Sequence, residues 1–268
     1  MNQIDVAVCT RNNEKTLRQS LERVIKYASP RRLIVIDGNS NDKTVEIASE
    51  FRAEIYTDDG RGLGYARNKA LRLGSTDLLG FIDADALIPG NWLRLCDHFR
   101  DSKVAAASGA NLYGYGNPPL QRFHEWLIKH SEEDVGFVGT VVRRKVLIGV
   151  GGISEALQTY EDWELKARLD VHGYRWVWDR NVVNLHPLSM REYLKRARAW
   201  TRGAAMSGVA ASRYEYFKRF AVSPLGGLRL AGIVHPIYAI YYPMVQFQSL
   251  IGFLEGAKSK HPIDRIAG

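Results

Sequence analysis

LLGFIDAD, residues 78–85, is an apolar strand run that ends abruptly in two carboxylates one residue apart. An extended strand would point Asp83 and Asp85 to the same side, and a turn would still let them converge on one ion. Two close negative charges repel each other unless a cation or a bound proton offsets them, and a divalent cation does so well. The stretch therefore predicts a cation site at a strand's end. The alternative is a turn acid followed by a helix cap, because Pro89 comes soon after.

The sequence on either side of this stretch alternates strand and helix patterns. We predict strands at 4–9, 32–36, 53–57, 78–82 and 176–183, and helices at 14–28, 42–51 and 63–73. The predicted apolar face of the first helix consists of Leu17, Leu21, Val24 and Ile25. This order is typical of an α/β protein with a mainly parallel sheet and crossover helices.

Polar clusters follow three of the predicted strands, at 10–14, 37–42 and 83–85. Ligands in open α/β sheets bind beyond the carboxyl ends of the strands, so the clusters predict a binding site at that edge. For the cluster at 37–42 the alternative is a helix-capping turn, with Asn41 or Asp42 as the cap.

Length and charge narrow the class of protein. A chain of 268 residues can bury a large core, either as one α/β domain or as one domain with a C-terminal extension. Its net charge of +8 implies an acidic partner, which could be nucleic acid, an anionic membrane surface or a phosphorylated small molecule. Charge alone does not choose among these three.

The cysteines and the N-terminal residues predict a compartment. Cys9 and Cys96 lie in apolar surroundings without metal-binding spacing, which indicates buried thiols in a reducing environment. The N-terminal residues enter a strand pattern directly, without the features of a signal peptide. We therefore expect an intracellular protein.

An ordered set of motifs resembles the family 2 glycosyltransferases of GT-A fold. The motifs are CTRNNE at 9–14, IDGNSNDKT at 36–44, GYARN at 64–68, DAD at 83–85, GGI at 151–153, YEDWELKARL at 160–169 and GYR at 173–175. The resemblance implies a catalytic domain over 1–190, with a nucleotide-sugar-binding part at 1–100 and an acceptor-binding part at 101–190. A helical extension would follow at 191–268.

The resemblance also implies a nucleotide-sugar donor, a UDP- or GDP-sugar, rather than nucleic acid. Asp37 would accept hydrogen bonds from the base, and the backbone of Thr10 and Arg11 would flank its ring. Arg67 would reach toward the nucleotide or the diphosphate, because a guanidinium can hold phosphate oxygens in a bidentate way. The alternative for Arg67 is a solvated helix face, since Lys69 and other cations are close in sequence.

The acid pair would then be the DXD motif of that family. Asp85 would bind Mn²⁺ or Mg²⁺ bridging the two phosphates, and Asp83 would contact ribose hydroxyls or the water shell of the ion. His186 would approach the metal or the leaving diphosphate, although a histidine beside proline is often only packed.

Asp162 is implied as the general base that takes a proton from the acceptor hydroxyl, in a single displacement that inverts the anomeric configuration. The aromatic neighbours Tyr160 and Trp163 could raise its pKa by desolvation. For Glu161, the alternative is that it only stabilises the start of the helix, where the helix dipole favours a negative charge. If the acceptor is a phosphate, which is already anionic, Asp162 would only orient it.

The C-terminal part has its own pattern. Residues 190–202 form a basic amphipathic stretch, and residues 231–254 contain no Asp, Glu, Lys or Arg. Pro236 and Pro243 argue against a straight lipid-facing helix. We expect an interfacial helix pair at the inner face of the cell membrane and a lipid-linked acceptor, either a polyprenyl phosphate or a lipid-linked saccharide. Packing on the domain, a homodimer interface and a membrane span remain alternatives.

Three other classes compete with this interpretation. A nucleotidyltransferase of similar fold usually has a glycine-rich loop after its first strand, and residues 10–14 lack glycine. A non-catalytic basic membrane-binding protein would not need acids at successive strand ends. A glycosidase needs two carboxylates farther apart than one intervening residue allows.

Overall fold

The computed structural model describes residues 4–132, 134–157, 159–207 and 213–258. The chain forms two compact units. The sheet unit comprises the described residues of Met1–Leu112, Ser131–Ala156 and Leu165–His186, and the helical unit those of Tyr113–His130, Leu157–Glu164 and Pro187–Gly268.

One mixed sheet forms the centre of the sheet unit. Within the described residues its strands are β1 Asp5–Thr10, β2 Leu33–Asp37, β3 Glu54–Thr57, β4 Leu78–Asp83, β5 Val104–Tyr113, β6 Thr140–Arg143 and β7 Arg175–His186. Their order is β3-β2-β1-β4-β6-β5-β7. The first four run parallel and β6 runs antiparallel to both of its neighbours, so the predicted mixed, mainly parallel sheet is confirmed.

Helices connect the strands and make up most of the helical unit. They are α1 Leu17–Arg23, α2 Thr44–Glu50, α3 Leu63–Leu73, α4 Pro118–His130, α5 Arg144–Gly149, α6 Glu161–Val171, α7 Met190–Ser207, α8 Arg213–Ile233 and α9 Tyr238–Lys258. A 3₁₀ helix spans Trp92–Arg100.

The first helix departs from its predicted form at both ends. It begins at Leu17 because the residues before it form a loop, and it widens into a π-helical turn over Val24–Ala28. Leu17 and Leu21 are fully buried, as predicted, but Ile25 is 45% exposed. Ile25 lies at the edge of the apolar face, about 80° around the helix from Leu17, so its predicted place there is wrong.

Trp92 fills the core beside β4. Its ring is fully buried, and its indole N–H donates a 2.7 Å hydrogen bond to the carbonyl of Gly139. The ring fits because Gly80 has no side chain: a Cβ there would lie 2.6 Å from a Trp92 ring carbon. The strand that ends in the acid pair therefore packs directly on this indole.

Aromatic and glycine residues pack the helical unit. Its core contains Leu120, Phe123, Leu188, Tyr193, Ala197, Leu230, Tyr238, Tyr241 and Val245. Helix α9 approaches α7 closely because Gly252 and Gly256 face it, and a Cβ at either would lie within 2.3 Å of an α7 carbonyl oxygen. The apolar segment at 231–254 covers the last residues of α8 and most of α9, and α9 continues through Pro243. None of the described helices is long and apolar enough to cross a membrane.

Replacing Gly80 should destabilise the sheet unit. Gly80→Ala forces the new methyl group against Trp92, and overpacking of this kind costs about 1–3 kcal/mol. Gly149→Ala is the matched control, because a Cβ at Gly149 meets nothing within 4 Å. Urea denaturation of both variants measures the difference, and equal midpoints would contradict the packing argument.

Candidate functional site

Asp37 organises the loop that follows β2. It is buried at the carboxyl end of the strand, where it pairs with Thr10 of β1. One carboxylate oxygen accepts the backbone N–H of Ser40 at 2.9 Å, and the other accepts the Ser40 hydroxyl at 2.6 Å. The predicted base-binding acid thus lies at the expected edge of the sheet and shapes the loop around it.

The loops after β1 and β2 are bonded to each other. The Asn12 N–H donates to the Ser40 hydroxyl, and the Asn12 side-chain oxygen accepts the N–H of Asn41, each at 2.8 Å. Asn12 and Asn39 adopt positive φ angles of 53° and 58°, which asparagine tolerates better than most residues. The exposed residue Arg11 lies beside Gly38, where a Cβ would be 3.2 Å from that of Arg11.

Asp42 lies one residue before Lys43, which is the N-cap of α2, so neither Asn41 nor Asp42 is the cap that the sequence suggested. It accepts hydrogen bonds from the N–H groups of Glu14 and Thr44. Desolvation opposes ionisation of Asp42, but the hydrogen bonds from Thr44 and Glu14 outweigh it and lower the pKa. Asp42 therefore stabilises the start of α2.

Asp58 is a buried acid at this edge that the sequence analysis missed. Its N–H donates to the carbonyl of Asp37, and its carboxylate accepts the N–H groups of Gly60 and Gly62. The acid thereby shapes the loop that leads into α3. The signal was present as an acid directly after the third strand, followed by two glycines.

Arg67 is buried and forms an ion pair with Asp83. Its guanidinium Nη2 lies 3.2 Å from the carboxylate Oδ1, and its Cζ stands 4.5 Å from the centroid of the Phe137 ring. This environment rules out the solvated helix face that was the alternative for Arg67. The positive charge offsets part of the repulsion within the acid pair.

Asp85 and His186 approach each other at the ends of two strands. Leu87 and Leu185 form an isolated antiparallel bridge, which ties the segment after β4 to the end of β7. His186, almost fully buried, places its Nδ1 3.7 Å from an oxygen of Asp85. The predicted ligands are thus neighbours, although in the described part of the chain no three His, Cys, Asp or Glu side chains converge as a metal cluster. One or two carboxylates suffice where substrate phosphates complete the coordination.

Asp134 is a second acid that the sequence analysis missed. The Asn111 side chain donates to its carboxylate at 3.2 Å, and Asn184, two residues before His186, lies 3.5 Å from the Asn111 side-chain oxygen. Burial raises the pKa of Asp134 to about 6, against the lowering effect of the Asn111 hydrogen bonds. No local pattern identifies it, because its partners are distant in the chain.

Asp162 lies in the first turn of α6, in the helical unit. Its carboxylate accepts the N–H of Trp163 at 2.8 Å, and the Trp163 ring stacks on that of Tyr160. Burial raises the pKa of the Tyr160 hydroxyl to about 12. Glu161 is buried, and like Asp162 it is an acid at a helix start, where the helix dipole favours negative charge.

Two family models match the chain. The one described as glycosyl transferase family 2 matches residues 5–147, and the one described as glycosyl transferase family group 2 matches residues 79–254. Together the matches include every predicted site residue from Thr10 to His186.

Curated relatives have related names. The O-antigen chain rhamnosyltransferase WbaN of Salmonella anatum is 30% identical over 191 residues, which are 62% of this chain and 60% of that protein. Glucosyl-dolichyl phosphate glucuronosyltransferase of Haloferax volcanii is 28% identical over 173 residues, covering 56% and 55%. This chain therefore spans less than two thirds of the length of these relatives.

A solved structure has the same fold. The mannosyltransferase PcManGT from Pyrobaculum calidifontis, in complex with GDP-Man and Mn²⁺, superimposes with a TM-score of 0.69 at 17% identity. The match covers 97% of this chain and 88% of that one. The GT-A fold expected from the sequence is confirmed.

Asp134→Asn should change how stability depends on pH. A carboxyl whose folded pKa is raised stabilises the fold below its unfolded pKa, and this contribution is lost as pH rises through about 6. The uncharged amide escapes that loss, so the variant should gain about 1–3 kcal/mol relative to the parent between pH 4 and pH 7. Urea denaturation across this range measures the gain, and a pH-independent difference would contradict it.

Proposed function

Because this chain belongs to the family 2 glycosyltransferases, we propose that it moves a sugar from a nucleoside-diphosphate donor to an acceptor hydroxyl with inversion at the anomeric carbon. The observation that carries the proposal is the row of Asp37 and Asp83 on the two strands that flank β1, with Asp85 just beyond. Family membership also removes the nucleotidyltransferase and non-catalytic alternatives.

The donor's base would bind at the loop after β2. Each oxygen of the Asp37 carboxylate accepts one hydrogen bond from Ser40, and a carboxylate oxygen can accept a second. We assign that second capacity to the N–H groups of the base. The backbone of Thr10 and Arg11 would lie beside its ring.

Asp83, Asp85 and His186 would hold Mn²⁺ or Mg²⁺ together with the donor's diphosphate. Carboxylate oxygens suit both ions and an imidazole nitrogen suits Mn²⁺, so the donor set fits. Such an ion, when bound, neutralises the diphosphate and makes it a better leaving group. Arg67 holds the Asp83 carboxylate in place, and its charge favours the anionic diphosphate.

Asp162 would act on the acceptor. Its carboxylate takes the proton of the acceptor hydroxyl while that oxygen forms a bond to the anomeric carbon. The bond between that carbon and the diphosphate breaks at the same time, and the diphosphate leaves with the electron pair. A single displacement from the opposite side inverts the configuration.

We infer a lipid-linked saccharide as the acceptor. One relative is named for glucosyl-dolichyl phosphate and another for the O-antigen chain. A saccharide hydroxyl carries a proton that must be removed, which gives a base such as Asp162 a role.

Exposed apolar faces of α8 and α9 support docking on a membrane surface. On α9 the exposed residues Ile240, Met244, Phe247 and Leu254 recur at helical spacing. On α8 the exposed apolar residues are Tyr214, Phe217, Val222, Leu225, Leu228 and Ile233. An apolar face this long on two neighbouring helices marks an interaction surface.

Charge favours an anionic lipid surface as the occupant of these faces. Residues 216–254 contain no Asp or Glu, whereas the cations Lys218, Arg219 and Arg229 lie among the exposed apolar residues of α8. Basic residues beside an apolar helix face are typical of interfacial helices that bind anionic lipids. The other occupant, a second copy of this chain, is an outcome of the test below.

Asp85→Ala should remove the metal-dependent part of donor binding. The test is a thermal-shift assay with UDP-, GDP- and dTDP-sugars, each with and without Mn²⁺. At least one nucleotide sugar should raise the Tm of the parent, and Mn²⁺ should raise that Tm further. Asp85→Ala should lose the Mn²⁺ increment. Asp77→Ala, at an exposed position just before the same strand, should keep it. The proposal fails if no nucleotide stabilises the parent, or if Asp85→Ala responds like the parent.

Leu225→Ser combined with Ile240→Ser should weaken membrane binding at least tenfold, because each apolar side chain contributes about 1.5–3 kcal/mol when it leaves water. Cosedimentation with phosphatidylglycerol-containing liposomes measures this, and binding of the parent should fall at high salt. Val171→Ser, which alters an apolar residue 85% exposed on α6, is the control. The docking proposal is wrong if the parent protein does not bind liposomes and sediments as a dimer, whereas the double variant sediments as a monomer.

A further inference from the structure

Tyr160 has a strained backbone directly before Glu161 and Asp162, the two acids at the start of α6. Its φ angle is +71°, in the left-handed region that an aromatic residue rarely adopts. Strain of this kind persists only where surrounding contacts impose it, and it concentrates at functional sites. The question is therefore which contacts hold Tyr160 in this conformation.

Helix α7 holds the residue before it. The Thr159 hydroxyl donates a 2.9 Å hydrogen bond to the Ala199 carbonyl, which lies in the third turn of α7. One turn further, Gly203 faces Thr159 so closely that a Cβ would lie 2.2 Å from its hydroxyl and 2.4 Å from its carbonyl oxygen. Glycine inside a helix is unfavourable, so the close approach gives this glycine a physical reason.

Helix α9 packs against another part of the α7 surface, which limits how far α7 can move away from Thr159. A Cβ at Gly252 would lie 2.1 Å from the Arg198 carbonyl oxygen, and one at Gly256 would lie 2.3 Å from that of Arg202. The helix is thus enclosed by backbone on more than one side. Any side chain added at Gly203 must displace Thr159 instead.

The conformation of Tyr160 sets the direction in which α6 begins. Its carbonyl accepts the N–H of Glu164 at 3.2 Å, and its ring stacks on Trp163. Asp162 lies between these two contacts, in the same turn. We therefore expect a change in the Tyr160 backbone to reorient the Asp162 carboxylate.

We propose that Gly203 is a positioning residue for Asp162. Because Gly203 has no side chain, α7 can pack closely against Thr159. This contact keeps the Tyr160 backbone in the left-handed conformation and orients the Asp162 carboxylate. The inference rests on the proposed role of Asp162 as the base. Gly203 faces Thr159, and in this proposal it acts only through the Thr159–Tyr160 segment.

Gly203→Ala tests the proposal in the full chain. The probes are UDP-glucose and GDP-mannose with Mn²⁺ and water as the acceptor, and the released nucleoside diphosphate is measured. Gly203→Ala should lower kcat at least tenfold and leave the KM for the donor within twofold. Gly232→Ala, a helical glycine whose Cβ meets nothing within 4 Å, should match the parent in both. An unchanged kcat in Gly203→Ala would overturn the inference.

A double-mutant cycle separates positioning from a general loss of structure. Asp162→Asn alone should lower kcat about 10²–10⁴-fold. Adding Gly203→Ala to it should cause no further loss, because there is no base left to aim. If the double variant loses kcat by the product of the two single losses, the positioning role is refuted. If Asp162→Asn alone is as active as the parent, the proposed function itself is refuted.

Two further variants cover the case in which Gly203→Ala does not fold. Tyr160→Asn and Tyr160→Val both remove the ring, but only asparagine tolerates the left-handed backbone. The asparagine variant should turn over at least tenfold faster than the valine variant, and equal rates would refute the proposal. If neither donor is hydrolysed, crystal structures decide: the Asp162 carboxylate should superpose with the parent in Tyr160→Asn and be displaced in Tyr160→Val.

Discussion

The parallel register of β1 with the strands on either side of it is the constraint on which the sheet-edge site depends. It sets Thr10 beside Asp37 and Cys9 beside Asp83, so the loops that follow begin at the same edge. Carboxylates gathered in this way repel one another, and the buried guanidinium of Arg67 compensates part of that cost. A divalent cation bound there, as we propose, would offset more of the repulsion.

Much of this edge could be predicted from local patterns. Helix α3 has the predicted bounds, and β4 differs from its prediction by one residue, because an apolar run bounded by polar residues is unambiguous. Asp134 was missed because its importance comes from burial and from Asn111, a partner that only the fold brings near, whereas the local signal for Asp58 was present and was not used. The position of Ile25 was wrong because it lies at the edge of the apolar face, where the helical pattern alone does not decide burial.

The helical unit was less predictable, for a different reason. Composition indicated an apolar, basic region, but it could not say which side of each helix is covered. In the sequence, Gly203, Gly252 and Gly256 weaken a helix prediction, yet in the structure each allows backbone to approach backbone. Whether a glycine breaks a helix or lets a neighbour come close depends on tertiary contacts.

The reciprocal hydrogen bonds between the two loops beside Asp37 have a consequence for engineering this enzyme. Asn12 both donates to Ser40 and accepts from Asn41, so each loop supports the conformation of the other. A loop transplanted alone from a relative, with the aim of changing which nucleotide is accepted, would arrive without its partner. If the donor's base binds here as we propose, nucleotide preference would belong to the pair of loops, and redesign would have to exchange both together.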